Sequence, residues 1–154
     1  MREILFKAKR KDNGEWVEGN LIHRTKYYGD DADDYFILEG GEFASDYYFD
    51  HEVIPETICQ YTGLTDKNGN RIWENDIVRY QFDNDDCPFP NKHTEKIIGR
   101  IFFSDFRASF SITAGENGSS MLNNDLFKYV QNGNRVEVIG NVFDNADLLK
   151  ESED

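Results

Sequence analysis

Turn-forming dipeptides divide this chain of 154 residues into short apolar runs, and that punctuation constrains its fold more than any other feature. Asp12-Asn13-Gly14 puts Asn-Gly at the tip of a turn, and Trp16, Val17, Leu21 and Ile22 supply β-favouring residues beyond it. Asn-Gly takes the positive φ angles that a tight hairpin needs, so the segment predicts two antiparallel strands. Residues 65–80 repeat the device: Asp66-Lys67-Asn68-Gly69 turns the chain, Ile72-Trp73 follows, and Asn75-Asp76 turns it again before Ile77-Val78. Gln131-Asn132-Gly133-Asn134 does the same ahead of Val136-Glu137-Val138-Ile139-Gly140. The turn chemistry recurs without a clear repeat of sequence.

Between these turns, residues 97–112 carry Ile97, Ile98, Ile101, Phe102 and Phe103, leading into Phe106, Ala108, Phe110 and Ile112. Alternation of the latter four with Arg107, Ser109 and Ser111 has period two, the mark of a half-buried strand. Helical signals are few. Leu122, Leu126, Tyr129 and Val130 share one helical face within residues 121–130, and a second short helix is expected over 146–149 with Asp144 or Asn145 as its cap. The run Asp30-Asp31-Ala32-Asp33-Asp34 and the segment 83–91, with Cys87 between acidic residues and two prolines, predict solvated loops. The last residues, 150–154, are expected to fray.

Acidic residues number 30 and basic residues 17, a net charge of -13. That field repels phosphate backbones, so direct nucleic-acid binding is not expected. The 22 aromatic residues, Phe 12, Tyr 8 and Trp 2, favour a folded chain in spite of the high charge. Two cysteines are too few for a disulfide framework, residues 1–7 lack the apolar centre of a signal peptide, and no apolar run approaches the roughly 20 residues of a membrane span. These features predict a cytoplasmic protein with no membrane partner.

The most distinctive run is Cys59-Gln60-Tyr61-Thr62-Gly63-Leu64-Thr65-Asp66, continuing through Gly69 to Arg71-Ile72-Trp73-Glu74-Asn75-Asp76-Ile77-Val78. It resembles the central signature of the YopX family of phage and prophage proteins, in which Gln-Tyr-Thr-Gly-Leu precedes Asp-x-x-Gly and then Ile-x-Glu-Gly-Asp-Ile-Val. The opening Arg2-Glu3-Ile4-Leu5-Phe6-Lys7, with Gly14-Glu15-Trp16-Val17, and the closing Val138-Ile139-Gly140-Asn141-Val142-Phe143 are also similar to that family. The likeness thins over 27–50 and 83–120. Asn75 stands where the family usually has Gly, and Cys59 where it often has Gly. Asn tolerates a left-handed backbone, so the turn is preserved. The resemblance implies a mostly β fold, a phage or prophage origin and self-association; it implies no established activity and no catalytic residues.

These readings predict a mainly β, β-rich α+β fold: antiparallel sheets with small SH3-like or OB-like barrel character, and one or two short helices near the C-terminus. Residues 1–154 are expected to form a single domain, with two tightly packed β subdomains as the alternative. The barrel character rests on Glu74-Asn75-Asp76-Ile77-Val78, which has the form of a strand-initiating turn in such barrels.

Candidate sites have plainer readings beside them. Asp66, Asn68, Asn70 and Asp76 suggest a calcium loop, but Arg71 stands where the sharp turn requires Gly, so the segment reads as a turn. Cys59, Cys87, His51 and His93 offer four zinc ligands without the close pairing of structural zinc sites; Cys59 reads as a small buried hydrophobe and Cys87 as a loop thiol. His23 with Asp46 or Asp50 is unconstrained. No metal or other cofactor is expected. Tyr27, Tyr28, Tyr47 and Tyr48 are the candidate interface, because adjacent residues in a strand point to opposite faces and one tyrosine of each pair then faces outward. The expected function is association without catalysis, either as a homo-oligomer or with a host or phage protein. The alternatives are an acidic nucleic-acid mimic that blocks a basic host protein, with carboxylates in a surface stripe, and a small hydrolase, with carboxylates converging in a pocket.

Overall fold

The computed structural model describes residues 1–25, 33–39, 51–81, 96–114, 125–131 and 133–150, which fall into two units, Met1–Tyr61 and Thr62–Asp154. In the first unit, the Asn13-Gly14 turn joins β1 (Phe6–Lys9) to β2 (Trp16–Arg24), paired from Phe6↔Gly19 to Lys9↔Trp16. The Gly14 N–H donates to the Arg10 carbonyl at 2.9 Å, and the Asn13 side chain accepts from the Glu15 N–H at 2.9 Å. Beyond the hairpin, β2 pairs with β3 (Asp34–Leu38), and the start of β4 (Cys59–Thr65) pairs with β1, giving the order β3-β2-β1-β4. Ala8, Val17, Ile37 and Val53 form the core. On the other side of the hairpin, the Lys7 and Lys9 ammonium groups lie 4.7 and 5.5 Å from the Trp16 ring.

Asp34, expected in a solvated loop, instead begins β3 and is buried. The cross-strand register sets it opposite Arg24, whose Nη2 donates to its carboxylate at 2.7 Å, so its charge is compensated within the sheet. His23 stacks on Tyr35 with ring centroids 4.4 Å apart and approaches Asp33 at 3.1 Å.

In the second unit, the remainder of β4 leads through the 66–70 turn to its neighbour β5 (Arg71–Trp73). A four-stranded antiparallel sheet follows in the order β8-β7-β6-β9, from β6 (Asp76–Tyr80), β7 (Ile97–Ser104), β8 (Ser109–Ala114) and β9 (Val136–Asn141). The described residues include two short helices: α1 (Leu126–Val130), capped by the Asp125 carboxylate on the Phe127 N–H at 3.0 Å, and α2 (Asp147–Lys150). The expected helical residues 121–124 lie outside the described residues. Ile72, Val78, Tyr80, Ile101, Ile112, Leu126, Tyr129 and Val136 form this core, in which the Tyr80 and Tyr129 rings meet edge to face at 5.1 Å. Burial raises the Tyr80 phenol above its ordinary pKa.

The fold is thus β-rich α+β, with two short α-helices among the described residues. Its four-stranded sheet does not close into a barrel among the described residues, because another segment occupies the outer edge of β9. The Lys67 N–H donates to the Val136 carbonyl, and the Val138 N–H to the Asp66 carboxylate, each at 2.9 Å. Those are the backbone groups that a closing strand would need.

The 97–112 run is a hairpin, not one continuous alternating strand. Residues 105–108 form the turn between β7 and β8, with the Arg107 N–H on the Ser104 carbonyl at 3.2 Å. Phe106 and Ala108, which the alternation placed with the inward residues, are both exposed, and Ala108 has a φ of 53°. Asn75 likewise has a φ of 69°.

A left-handed backbone costs a residue with a Cβ about 1–2 kcal/mol, most for a β-branched one. Ala108→Gly is therefore expected to stabilise the protein by about 1 kcal/mol in urea unfolding. Asn75→Gly should be neutral or mildly stabilising, and Asn75→Val destabilising by about 2 kcal/mol. Equal stability of the two Asn75 variants would show that this turn does not depend on its left-handed residue.

Candidate functional site

The signature residues are built into strands and the turns between them. Gln60 pairs with Phe6, and the Tyr61 N–H donates to the Leu5 carbonyl at 2.9 Å. Thr62 donates its hydroxyl to the Ile72 carbonyl at 2.7 Å and accepts the Leu64 N–H at 3.2 Å, which holds the bend around Gly63. Leu64 packs on the core, in which Ile72 and Val78 are fully buried, and Ile77 is fully buried too. Asp76 accepts the Trp73 N–H at 2.8 Å and so closes the turn that contains Glu74 and Asn75.

The two ends of the signature meet across β6 and β9. Asp76 faces Asn141 and Ile77 faces Gly140, then the register shifts so that Val78 faces Val138, leaving Ile139 as a β-bulge. Gly140 is required by close approach: a Cβ there would lie 2.6 Å from the Asn145 side-chain oxygen. The Asn141 side chain in turn accepts the Phe143 and Asp144 N–H groups at 3.0 Å each. Residues separated by more than sixty positions in sequence thus form one structural motif.

Asp66 is its most heavily used member. The residue is only 3% exposed. One carboxylate oxygen accepts the Asn68 and Asn70 N–H groups, and the other accepts the Val138 N–H, all at 2.9 Å. Gly69, with a φ of 83°, supplies the left-handed step that closes this loop. The carboxylate therefore organises a turn and ties it to β9. The Asp66 and Asp76 carboxylates each bond backbone amides of their own turn, Asp66 that of Asn68 and Asp76 that of Trp73. Cys59 is buried and donates its S–H to the Thr57 carbonyl at 3.3 Å. Cys87, His93, Asp46, Asp50 and the interface candidates Tyr27, Tyr28, Tyr47 and Tyr48 lie outside the described residues.

Two features escaped the sequence reading. One is a set of exposed aromatics: Phe106 at the tip of the β7–β8 hairpin is 86% exposed, Phe127 on α1 56%, and Phe103 41%. Phe103 also packs edge to face on Phe110, at 5.3 Å, and Phe110 adjoins the core, so apolar surface runs outward from the core along the hairpin. The other is a cleft of about 300 Å³ whose lining includes Lys67, Arg79, Lys96, Arg135 and Glu137. Glu137 lies between Lys67 and Arg79, 3.4 and 3.5 Å from their nitrogens. No contiguous basic motif announced this group, because its cations are spread over residues 67–135.

Replacing Asp66 by Asn keeps the size of the side chain and exchanges one acceptor oxygen for an NH₂ donor, which must then face an N–H. Hydrogen bonds to charged groups contribute about 1.5–3 kcal/mol, so Asp66→Asn is expected to destabilise the protein by about 2 kcal/mol and Asp66→Ala by more. Urea midpoints within a few tenths of a molar of wild type for both variants would remove Asp66 from this role.

A comparison with curated proteins finds no match. Among solved structures, the chain is similar to one described as the crystal structure of protein EF1440 from Enterococcus faecalis: 21% identity, 97% of this chain and 99% of that chain covered, and a TM-score of 0.49. The family described as YopX protein matches residues 5–150, which include both ends of the β6–β9 motif. By that match over nearly its whole length, the chain belongs to the YopX family.

Proposed function

We propose that this YopX protein acts by association and not by catalysis, in the cytoplasm of a host cell and in a phage or prophage setting, with a second copy of itself as its first partner. The observation that supports this reading is the exposed aromatic surface of the β7–β8 hairpin, Phe106 above all. A benzyl side chain held in water at a hairpin tip gains most by burial against another surface, and aromatic residues dominate interface energetics. The hydrolase alternative has less support, since the signature carboxylates Asp66 and Asp76 are bonded to backbone amides. A host or phage protein remains the alternative occupant of the same apolar surface.

A net charge of -13 opposes self-association at long range, so apolar contact has to prevail at short range. Salt screens the repulsion over a Debye length of about 10 Å at 0.1 M and should strengthen assembly. Light scattering is expected to give a multiple of 17.9 kDa at moderate salt, and Phe106→Asp, at a site that contributes little to the fold, should return the mass to that of a monomer. A monomeric wild type at both low and moderate salt rejects the homo-oligomer.

A further inference from the structure

We propose that the cleft at the end of the second unit's sheet binds a small phosphorylated ligand through Arg79, Lys67, Lys96 and Arg135. This site is separate from the association surface and does not involve Phe106. Among the described residues, four cations and one carboxylate line a space of about 300 Å³, an excess of three positive charges in a chain whose total is -13. Random placement of 17 basic among 30 acidic residues does not favour such a concentration. A recess in which one sign of charge predominates focuses its field on whatever enters.

The elements that carry these groups are fixed. Arg79 on β6 lies opposite Glu137 on β9 in strand register. Lys67 stands in the turn that Asp66 locks, with its own N–H on the Val136 carbonyl. The Arg135 guanidinium donates to the Lys128 carbonyl at 3.0 Å and lies 5.5 Å from the Tyr129 ring, which orients it before any ligand arrives. Lys96 precedes β7, whose first residue pairs with Tyr80. Guanidinium and ammonium groups arranged on ordered backbone suit a phosphoryl group, whose oxygens accept charge-assisted bonds from several directions. The volume fits one or two phosphoryl groups and little more.

Glu137 makes the proposal testable. As a ligand site, the cleft holds a carboxylate that competes with the incoming anion for Lys67 and Arg79. As a purely structural ion-pair group, it needs Glu137 and gains nothing from its loss. The full chain is titrated with inorganic pyrophosphate in a calorimeter at fixed ionic strength, with citrate as a carboxylate control. One saturable site is expected, weakened about tenfold or more by Arg79→Gln, strengthened several-fold by Glu137→Gln and unchanged by Lys150→Gln, which alters net charge by the same amount away from the cleft. Circular dichroism verifies the fold of each variant, and Lys67→Gln replaces Arg79→Gln if the latter unfolds. Absence of saturable binding to wild type, equal weakening by Lys150→Gln, weaker binding by Glu137→Gln or citrate binding as tight as that of pyrophosphate would each overturn the proposal.

Discussion

The Asp66 carboxylate accepts backbone N–H groups from its own turn and from β9, a strand more than sixty residues further along the chain. Much of the second unit depends on this arrangement. The outer edge of β9 would otherwise present unpaired amides and carbonyls, a template for pairing with another chain. A buried carboxylate is tolerated only when its oxygens are well bonded, and here backbone amides satisfy both of them. The same turn covers the outer edge of β9 and holds Lys67 beside Glu137.

Charge and apolar surface are both unevenly distributed in this protein. The chain is strongly acidic, yet Lys67, Arg79, Lys96 and Arg135 gather at one cleft. Phe36, Trp73, Tyr80 and Tyr129 are buried, yet Phe106 projects into solvent. Retaining either feature opposes a simple physical tendency: like charges separate, and exposed aromatics order water around themselves. Both features lie in the second unit, at opposite ends of β7, with Lys96 just before it and Phe106 just after it.

Where a turn needs a particular backbone angle, the residues state it. Asn13-Gly14, Asp66 to Gly69 and Asn75 are legible because positive φ and side-chain capping of nearby amides are local properties of Gly, Asn and Asp. The Ser104–Ser109 connection shows the limit. Its left-handed residue is Ala108, which carries no such signal, so an alternating apolar pattern runs straight through the turn. Pairing along β7 and β8 imposes a conformation there that alanine does not itself favour.

The β-rich class, the main hairpin turns, the presence of one or two short helices near the C-terminus and the family are all legible in the sequence, since each is written in residues close together in the chain. Long-range pairing alone sets Asp76 and Ile77 opposite Asn141 and Gly140, buries Asp34 against Arg24 and brings four scattered cations to one cleft. Each of those depends on strand register between distant segments. Register is a property of two strands together, and neither strand's sequence states which partner it will meet.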